Sequence, residues 1–309
     1  MSRLSNLWAH IQNSLIPDLE EVLDPLTEKQ RQFVSVCEML QLDRHMSPFA
    51  NLLLGAKKLP RIDFARAFVA KAVYNIPTTV DLIEHLRASP NLRRLCGWEF
   101  AILVPSESTF SRTFAEFADG DLGDRIHEVM VKTHCGERLA GHISRDSTAI
   151  AVREKAAKKP KKSKRRHRRG RPRKGEVREA QPIKRLDVQP TRTLEENLAD
   201  LPSACDWSQK RNSQGKIENW KGGKLHVDVI DGDIPISAIY TSASVHDSQV
   251  AIPLAQMSAA RIDSLYDLMD AAYDAKEIHA HSRELGHVPI IDPNRRGTCS
   301  GDQTGGSKK

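Results

Sequence analysis

From the amino end, apolar positions first recur every three or four residues. Phe33, Val36, Cys37 and Leu40 share one helical face, and Thr27 with Gln30 three residues later predicts a capping box at its start. In RIDFARAFVAKAVYNIP, the positions Ile62, Ala65, Phe68, Val69, Ala72 and Val73 form an apolar stripe that stops before Pro77. Thr78 is the expected cap of the next helix, which carries Leu82, Ile83 and Leu86. Ser106 or Ser108 opens another, with Phe110, Phe114 and Phe117 at i, i+4 and i+7. Core packing, rather than a partner-binding face, is the expectation for these rings. Ser111 and Arg112 lie off that stripe, within reach of phosphates, and a helix-turn-helix role is an open alternative. Residues up to about Lys132 therefore read as helical.

From Gly141 the period changes to two. GHISRDSTAIAV alternates and ends in small and β-branched residues. KLHVDVI, the turn Asp231-Gly232-Asp233 and IPISAIYTSASV predict a β-hairpin, because Asp-Gly accepts the positive φ of a tight turn. A helix follows from about Ser248 through Met257, SLYDLM is a short run of the kind that forms a buried parallel strand, and YDAKEIHAHSREL is again helical. Strand, hairpin, helix, strand, helix is an α/β plan. Between Lys155 and about Asn219 apolar residues thin out, and Lys, Arg, Pro and Gln predict a disordered or loosely ordered insertion. After HVPIIDPNRR the string GTCSGDQTGGSKK has no period and no large apolar residue, and predicts a tail outside the domain. The expected organisation is a helical domain over 1–135, an α/β domain over 136–296 interrupted by the insertion 155–219, and a disordered tail over 297–309.

Composition changes this picture in three places. No apolar run approaches the roughly 18 residues of a membrane span, and MSRLSNLWAHIQNSL lacks the features of a secretory signal, so a cytoplasmic, nucleoid-associated protein is expected. The five cysteines, Cys37, Cys96, Cys135, Cys205 and Cys299, are scattered without C-x-x-C spacing, which favours reduced thiols over a zinc site or disulfide framework. The net charge of +7 is local: twelve Lys or Arg and no acid lie between Lys158 and Lys174, and without them the rest stands at −5.

That arm predicts contact with double-stranded DNA. Arg169-Gly170-Arg171-Pro172 forms the core of an AT-hook-like motif, in which Gly and Pro hold a narrow extended strip and arginines enter the negative A·T minor groove. Arg165, Arg166, Arg168, Arg173 and Lys174 would neutralise phosphates and release counterions. A nonspecific polycation or a solvated linker is the plainer alternative. Lys221 and Lys224 flank the second strand, where phosphate contact and simple exposure account for them equally well.

Metal-dependent phosphoryl transfer needs carboxylates converging on one point, because hard divalent ions take oxygen ligands. Asp146, within Ser144-Arg145-Asp146-Ser147-Thr148, is an acid in a strand among small polar residues. Asp270 ends the run Leu265-Tyr266-Asp267-Leu268-Met269, at the carboxyl end of a strand where ligands of open α/β sheets gather. Asp274 fits capping better, as N-cap with Glu277 at N3 and a Tyr273–Ile278 staple. Asp247 suits the N-cap of the helix from Ser248, with His246 packed beside it, and a share in the site is the lesser alternative. His226 and Asp228 are explained by exposure on the face opposite Leu225, Val227 and Val229.

SRDSTAI, WKGGKLHVDV, TSASVHDS and LMDAAYDAKEIHAHSRELGHVPIIDPNRR resemble, in order and spacing, the strands of DDE transposases that move bacterial insertion sequences by cut and paste. VPSESTFSRTFAEF is similar to the N-terminal domain of the same family, so the resemblance reaches to about Arg296. It implies an incomplete RNase H-like mixed sheet after a helical domain, with Asp146 and Asp270 as the first and second catalytic, metal-binding aspartates, Mg²⁺ or Mn²⁺ as cofactor, and a homo-oligomer on DNA. The family's third acid, a downstream glutamate, has no match. Glu284 lies on a helix leading away, roughly 15 Å from its start, and Asp302 is in the tail. The resemblance thus implies a truncated or frameshifted copy with an underliganded site and impaired catalysis. Two alternatives stay open: a non-catalytic DNA binder that interferes with an intact transposase, and an RNase H-like nuclease unrelated to transposition.

Overall fold

The computed structural model describes residues 19–20, 22–46, 59–157, 183–211 and 214–294. The basic arm and the C-terminal tail singled out above lie outside them, as do Arg165 through Lys174. The chain divides into two compact units, residues 1–130 and 131–309.

The first unit is helical: α1 (Glu28–Leu40), α2 (Arg61–Val73), α3 (Thr79–Ala88), α4 (Pro90–Cys96), α5 (Glu107–Asp119) and α6 (Leu122–Cys135), within which the division falls. Thr27 caps α1 as its side chain predicts, accepting from the Gln30 N–H at 3.3 Å while Gln30 Oε1 accepts from the Thr27 N–H at 2.9 Å. Thr78 likewise accepts from the Asp81 N–H at 3.1 Å. Phe33, Phe64, Leu82, Leu86, Leu95 and Phe110 are fully buried, with Phe64 meeting Trp98 and Phe110 edge-on.

Two expectations are corrected here. The buried face of α2 carries Asp63, Phe64, Ala65, Arg66, Ala67 and Ala70, whereas Ala72 is exposed. The predicted stripe holds in part, since Ala65 is core and Ile62, Phe68, Val69 and Val73 pack against it, but the charged members Asp63 and Arg66 carry no apolar signal. Arg66 and Asp63 oppose each other's desolvation, and Arg66 also pairs with Asp43 at 3.7 Å. Of the three α5 rings, Phe110 and Phe117 are core, but Phe114 is 59% exposed and touches only the rim of it through Phe68.

The second unit is a mixed sheet with helices. Its strands are β1 (Leu139–Ala151), β2 (Asp206–Arg211), β3 (Ile217–Ile230), β4 (Ile234–Ser242), β5 (Asp263–Met269) and β6 (Val288–Ile291). Across the sheet the order is β4-β3-β1-β5-β6, antiparallel among β4, β3 and β1 and parallel among β1, β5 and β6. β2 pairs with Ile217–Gly222 of β3, and the stretch that pairs with β1 starts at that same Gly222. The hairpin turn is as predicted: Gly232 and Asp233 take φ of +84° and +60°. This is the α/β arrangement of an RNase H-like sheet.

The helices of this unit are α7 (Arg185–Val188), α8 (Leu194–Asp200), α9 (Ser248–Ala259) and α10 (Lys276–Glu284). α7, α8 and β2 fall inside the stretch 155–219 that composition assigns to a disordered insertion, so that expectation is corrected for residues 183–211 and 214–219. β3 holds β2, and packing against α9 holds the two helices and the turn between them. Arg185 bonds Gln249, Gln189 donates to the Gln249 carbonyl at 2.6 Å, and Asn197 donates to Gln256 at 3.1 Å.

The sheet faces are also reversed from expectation. His226 and Asp228 are fully buried, while Leu225, Val227 and Val229 are only half-buried. Arg145 on β1 makes this possible, donating to Asp228 at 2.8 and 2.7 Å from a side chain 2% exposed. Ser258 on α9 adds a third bond to Asp228 at 2.6 Å. On the same face, Ser282 of α10 and His287 hold the buried Asp267 of β5. The half-buried face extends to Tyr240, Tyr266 and Ile290, all more than one-third exposed. No helix among the described residues is long and apolar enough to cross a membrane.

Candidate active site

β1 and β5 run parallel in the middle of the sheet, and their register ends with Arg145 opposite Met269. Asp146 and Asp270 are the next residue on each strand. Asp270 keeps an extended backbone (φ −78°, ψ 175°) just past the end of β5, while Asp146 stays within β1, paired with Val227 of β3. Both side chains belong to exposed residues. Each commits one oxygen to a backbone N–H: Asp146 Oδ1 accepts from Ser147 at 2.6 Å, and Asp270 Oδ1 accepts from Ala272 at 2.9 Å. The second bond closes a 3₁₀ turn, Ala271–Tyr273, that starts where β5 stops.

A third carboxylate stands close by. Asp247 immediately precedes α9, as expected of an N-cap, but its side chain makes no capping bond. His246 takes that role instead, with Nδ1 accepting from the Ser248 N–H at 3.4 Å and sharing a 2.9 Å bond with its hydroxyl. Asp247 Oδ1 accepts from Ser147 Oγ at 3.0 Å and from Lys224 Nζ at 2.9 Å. Ser147 follows Asp146 directly, so this carboxylate is tied to the strand that carries the first aspartate. The Lys224 ammonium, read from sequence as a phosphate contact, is committed to Asp247 and the Val245 carbonyl. Lys221 is half-buried on β3, opposite Trp207.

His226 lies beneath Asp247, with Nδ1 3.8 Å from its Oδ1 and Nε2 2.9 Å from Thr241 Oγ1. Burial lowers its pKa to about 4, Lys224 adds to the effect, and Asp247 opposes it. The imidazole is therefore neutral near pH 7. Tyr273 ends the turn begun at Asp270 and buries its ring with Ala251, Ile252, Met269 and Ile278. Burial pushes its phenol far above the ordinary range. Asp247, Asp146 and Asp270 add to that rise and Arg145 works against it, so all three carboxylates act on one hydroxyl.

Asp274 is not the helix cap that sequence predicts. α10 starts at Lys276 after Ala275, and Asp274 accepts from the Asn294 N–H at 2.7 Å and bonds His279 at 3.2 Å. Its carboxylate pins the chain after β6 to the loop before α10. Glu284, at the far end of α10, is 69% exposed and 3.7 Å from His281. Among the described residues no three His, Cys, Asp or Glu side chains converge closely enough to hold a metal ion together. Four described cysteines, Cys37, Cys96, Cys135 and Cys205, are free and buried away from this region's chemistry.

Sequence reading singles out Asp146 and Asp270, and gives no sign that Ser147 and Lys224 both bond Asp247. Their meeting depends on contacts between positions as much as 100 residues apart.

Two family descriptions match the chain. "Transposase domain (DUF772)" matches residues 17–116, and "Transposase DDE domain" matches residues 137–308, more than half of the 309-residue chain. No curated protein and no solved structure matches it. A mixed RNase H-like sheet, and a match of that length over the whole of it, lead to one conclusion: the chain belongs to the DDE transposases of insertion sequences, with a role in DNA transposition.

Proposed function

We propose that this transposase binds double-stranded DNA at the ends of its element and cuts and joins strands with a divalent cation held by Asp146 and Asp270. The observation that carries the reading is their position, one residue past the paired Arg145 and Met269 on neighbouring parallel strands. The donor chemistry fits Mg²⁺ or Mn²⁺: each carboxylate has one oxygen anchored by a backbone N–H and the other uncommitted among the described groups. A cation there supplies the Lewis acidity that phosphodiester cleavage requires. The chain's own residues orient the donors. The Ala271–Tyr273 turn fixes Asp270, while Ser147 and Lys224 hold Asp247 back from joining the pair.

Two acids are fewer than the three of the family pattern, and no third joins them among the described residues. The proposal therefore includes slow cleavage, with DNA affinity retained through the basic arm. Because two element ends must be joined, the working form is a homo-oligomer on DNA. The test is incubation of the purified chain with end DNA and Mg²⁺ or Mn²⁺. Slow nicking is expected, and it should vanish on Asp146→Ala or Asp270→Ala. Nicking that survives both substitutions would remove the two aspartates from the reaction. Binding with no nicking at all would favour the alternative of a non-catalytic DNA binder.

A further inference from the structure

From Ile217 to Lys221, β3 pairs only with β2 among the described residues, so this part of the sheet is a two-stranded ribbon. Its register sorts the side chains. Trp207 lies opposite Lys221 and Gln209 opposite Asn219, and alternation along the strands puts all four, with Ile217, on one side. No member of that set is acidic, because Asp206 and Glu218 fall on the other side. Trp207 is 57% exposed, and Gln209, Ile217 and Asn219 are exposed too. The same alternation along β3 leads to Val227, the partner of Asp146, so this side of the ribbon continues the side of the sheet that carries Asp146. Lys221 and Val227 are about 20 Å apart along the strand. Between them the partly exposed Tyr240 ring lies over Gly223, where a Cβ would collide with its hydroxyl. The positive stretch of the sequence starts at the root of the ribbon. The Ala157 N–H donates to the Cys205 carbonyl at 2.9 Å, one residue before β2, and Lys158, next after Ala157, is the first of the twelve Lys and Arg.

We propose that this side of the ribbon is a contact surface for an unpaired DNA strand, with Trp207 stacking on a base and Lys221 meeting a phosphate beside it. The inference rests on the DNA-binding reading of the preceding section and names a part of the substrate that reading leaves open. An indole stacks on the flat face of a base, and inside a duplex both faces are covered by neighbouring bases, so only an unpaired base offers one. Gln209 and Asn219 both donate and accept, which suits base edges. Lys224 is committed to Asp247, whereas Lys221 has no ion pair among the described residues. A second copy of this chain is the less fitting occupant, because the positive stretch rooted beside each ribbon would repel its like.

The test measures the affinity of the full chain, of Trp207→Ala and of Trp207→Phe for two DNAs at one fixed salt concentration. One is a blunt duplex, and the other is the same duplex with a single-stranded tail of about ten nucleotides. The wild type should prefer the tailed DNA. Trp207→Ala should lower the ratio of the two affinities by at least about 5-fold, the lower end for one base stacked on an aromatic ring, and Trp207→Phe should keep most of it. Both affinities are read on one preparation, so a partly unfolded variant leaves their ratio unaffected. A ratio unchanged in Trp207→Ala would overturn the inference and leave the DNA reading standing. Loss of self-association in that variant, with the ratio unchanged, would give the ribbon to a second copy of the chain instead. A wild-type chain that binds neither DNA would overturn the DNA reading and this inference with it.

Discussion

Asp228 and Arg145 sit at 0% and 2% side-chain exposure in the middle of a sheet, where a lone charge would be intolerable. Burial disfavours the guanidinium's charge, but Asp228 more than offsets this, and the Arg145 pKa ends above its ordinary value. Replacing one partner strands the other. Asp228→Ala should therefore destabilise the protein by about 3–5 kcal/mol in urea denaturation; a loss under about 1 kcal/mol would mean that water reaches Arg145. His226 gives the pH dependence. Its folded pKa of about 4 lies below the ordinary 6.5 of an imidazole, so the unfolded chain takes up the proton first. The stability from this group is present above pH 6.5 and is lost as pH falls toward 4, at up to about 1.4 kcal/mol per pH unit. Melting temperatures across that window should fall less steeply in His226→Gln than in the wild type. Equal slopes would show that His226 is not the titrating group.

At the scale of elements, Gly97 separates backbone demand from mere flexibility. It closes α4 at φ +118°, and a Cβ there would come 2.3 Å from Asp63 Oδ1. Gly97→Ala should cost about 1–3 kcal/mol, since the strained backbone adds to the collision. Gly123→Ala, in α6 with open space around it, should be neutral or stabilising by up to about 1 kcal/mol. The reverse order in chemical denaturation would contradict the placement of both. Elements with a strong local signal were legible in the sequence: the Thr27 box, the Thr78 cap, the Asp231–Asp233 turn, and β5 with its terminal aspartate. Others draw their stability from distant partners. α7, α8 and β2 are polar segments held by α9 and β3, and four-residue β6 is a strand because β5 lies beside it. The polar face of β3 was misread for the same reason, because Arg145 lies 83 positions from Asp228. At the candidate site, the pattern within β1 and at the end of β5 singled out Asp146 and Asp270, while Asp247's tether to Ser147 and the unpaired Tyr273 hydroxyl belong to tertiary packing.

The whole molecule combines a −5 body with twelve positive charges between Lys158 and Lys174. Deleting that stretch should flatten the slope of log affinity against log salt by several units, measured by DNA titration at stepped salt; an unchanged slope would locate the DNA grip elsewhere on the chain. Such a result would leave the proposed chemistry of the sheet untouched, because that proposal rests on Asp146 and Asp270 sharing one cation. The direct measurement is calorimetric titration of Mn²⁺ into the full chain, into Asp146→Asn, into Asp270→Asn and into the double variant. A shared site predicts that either single substitution removes most of the binding and that the second adds little. Binding that persists in each single variant, with losses that simply add in the double, would contradict it.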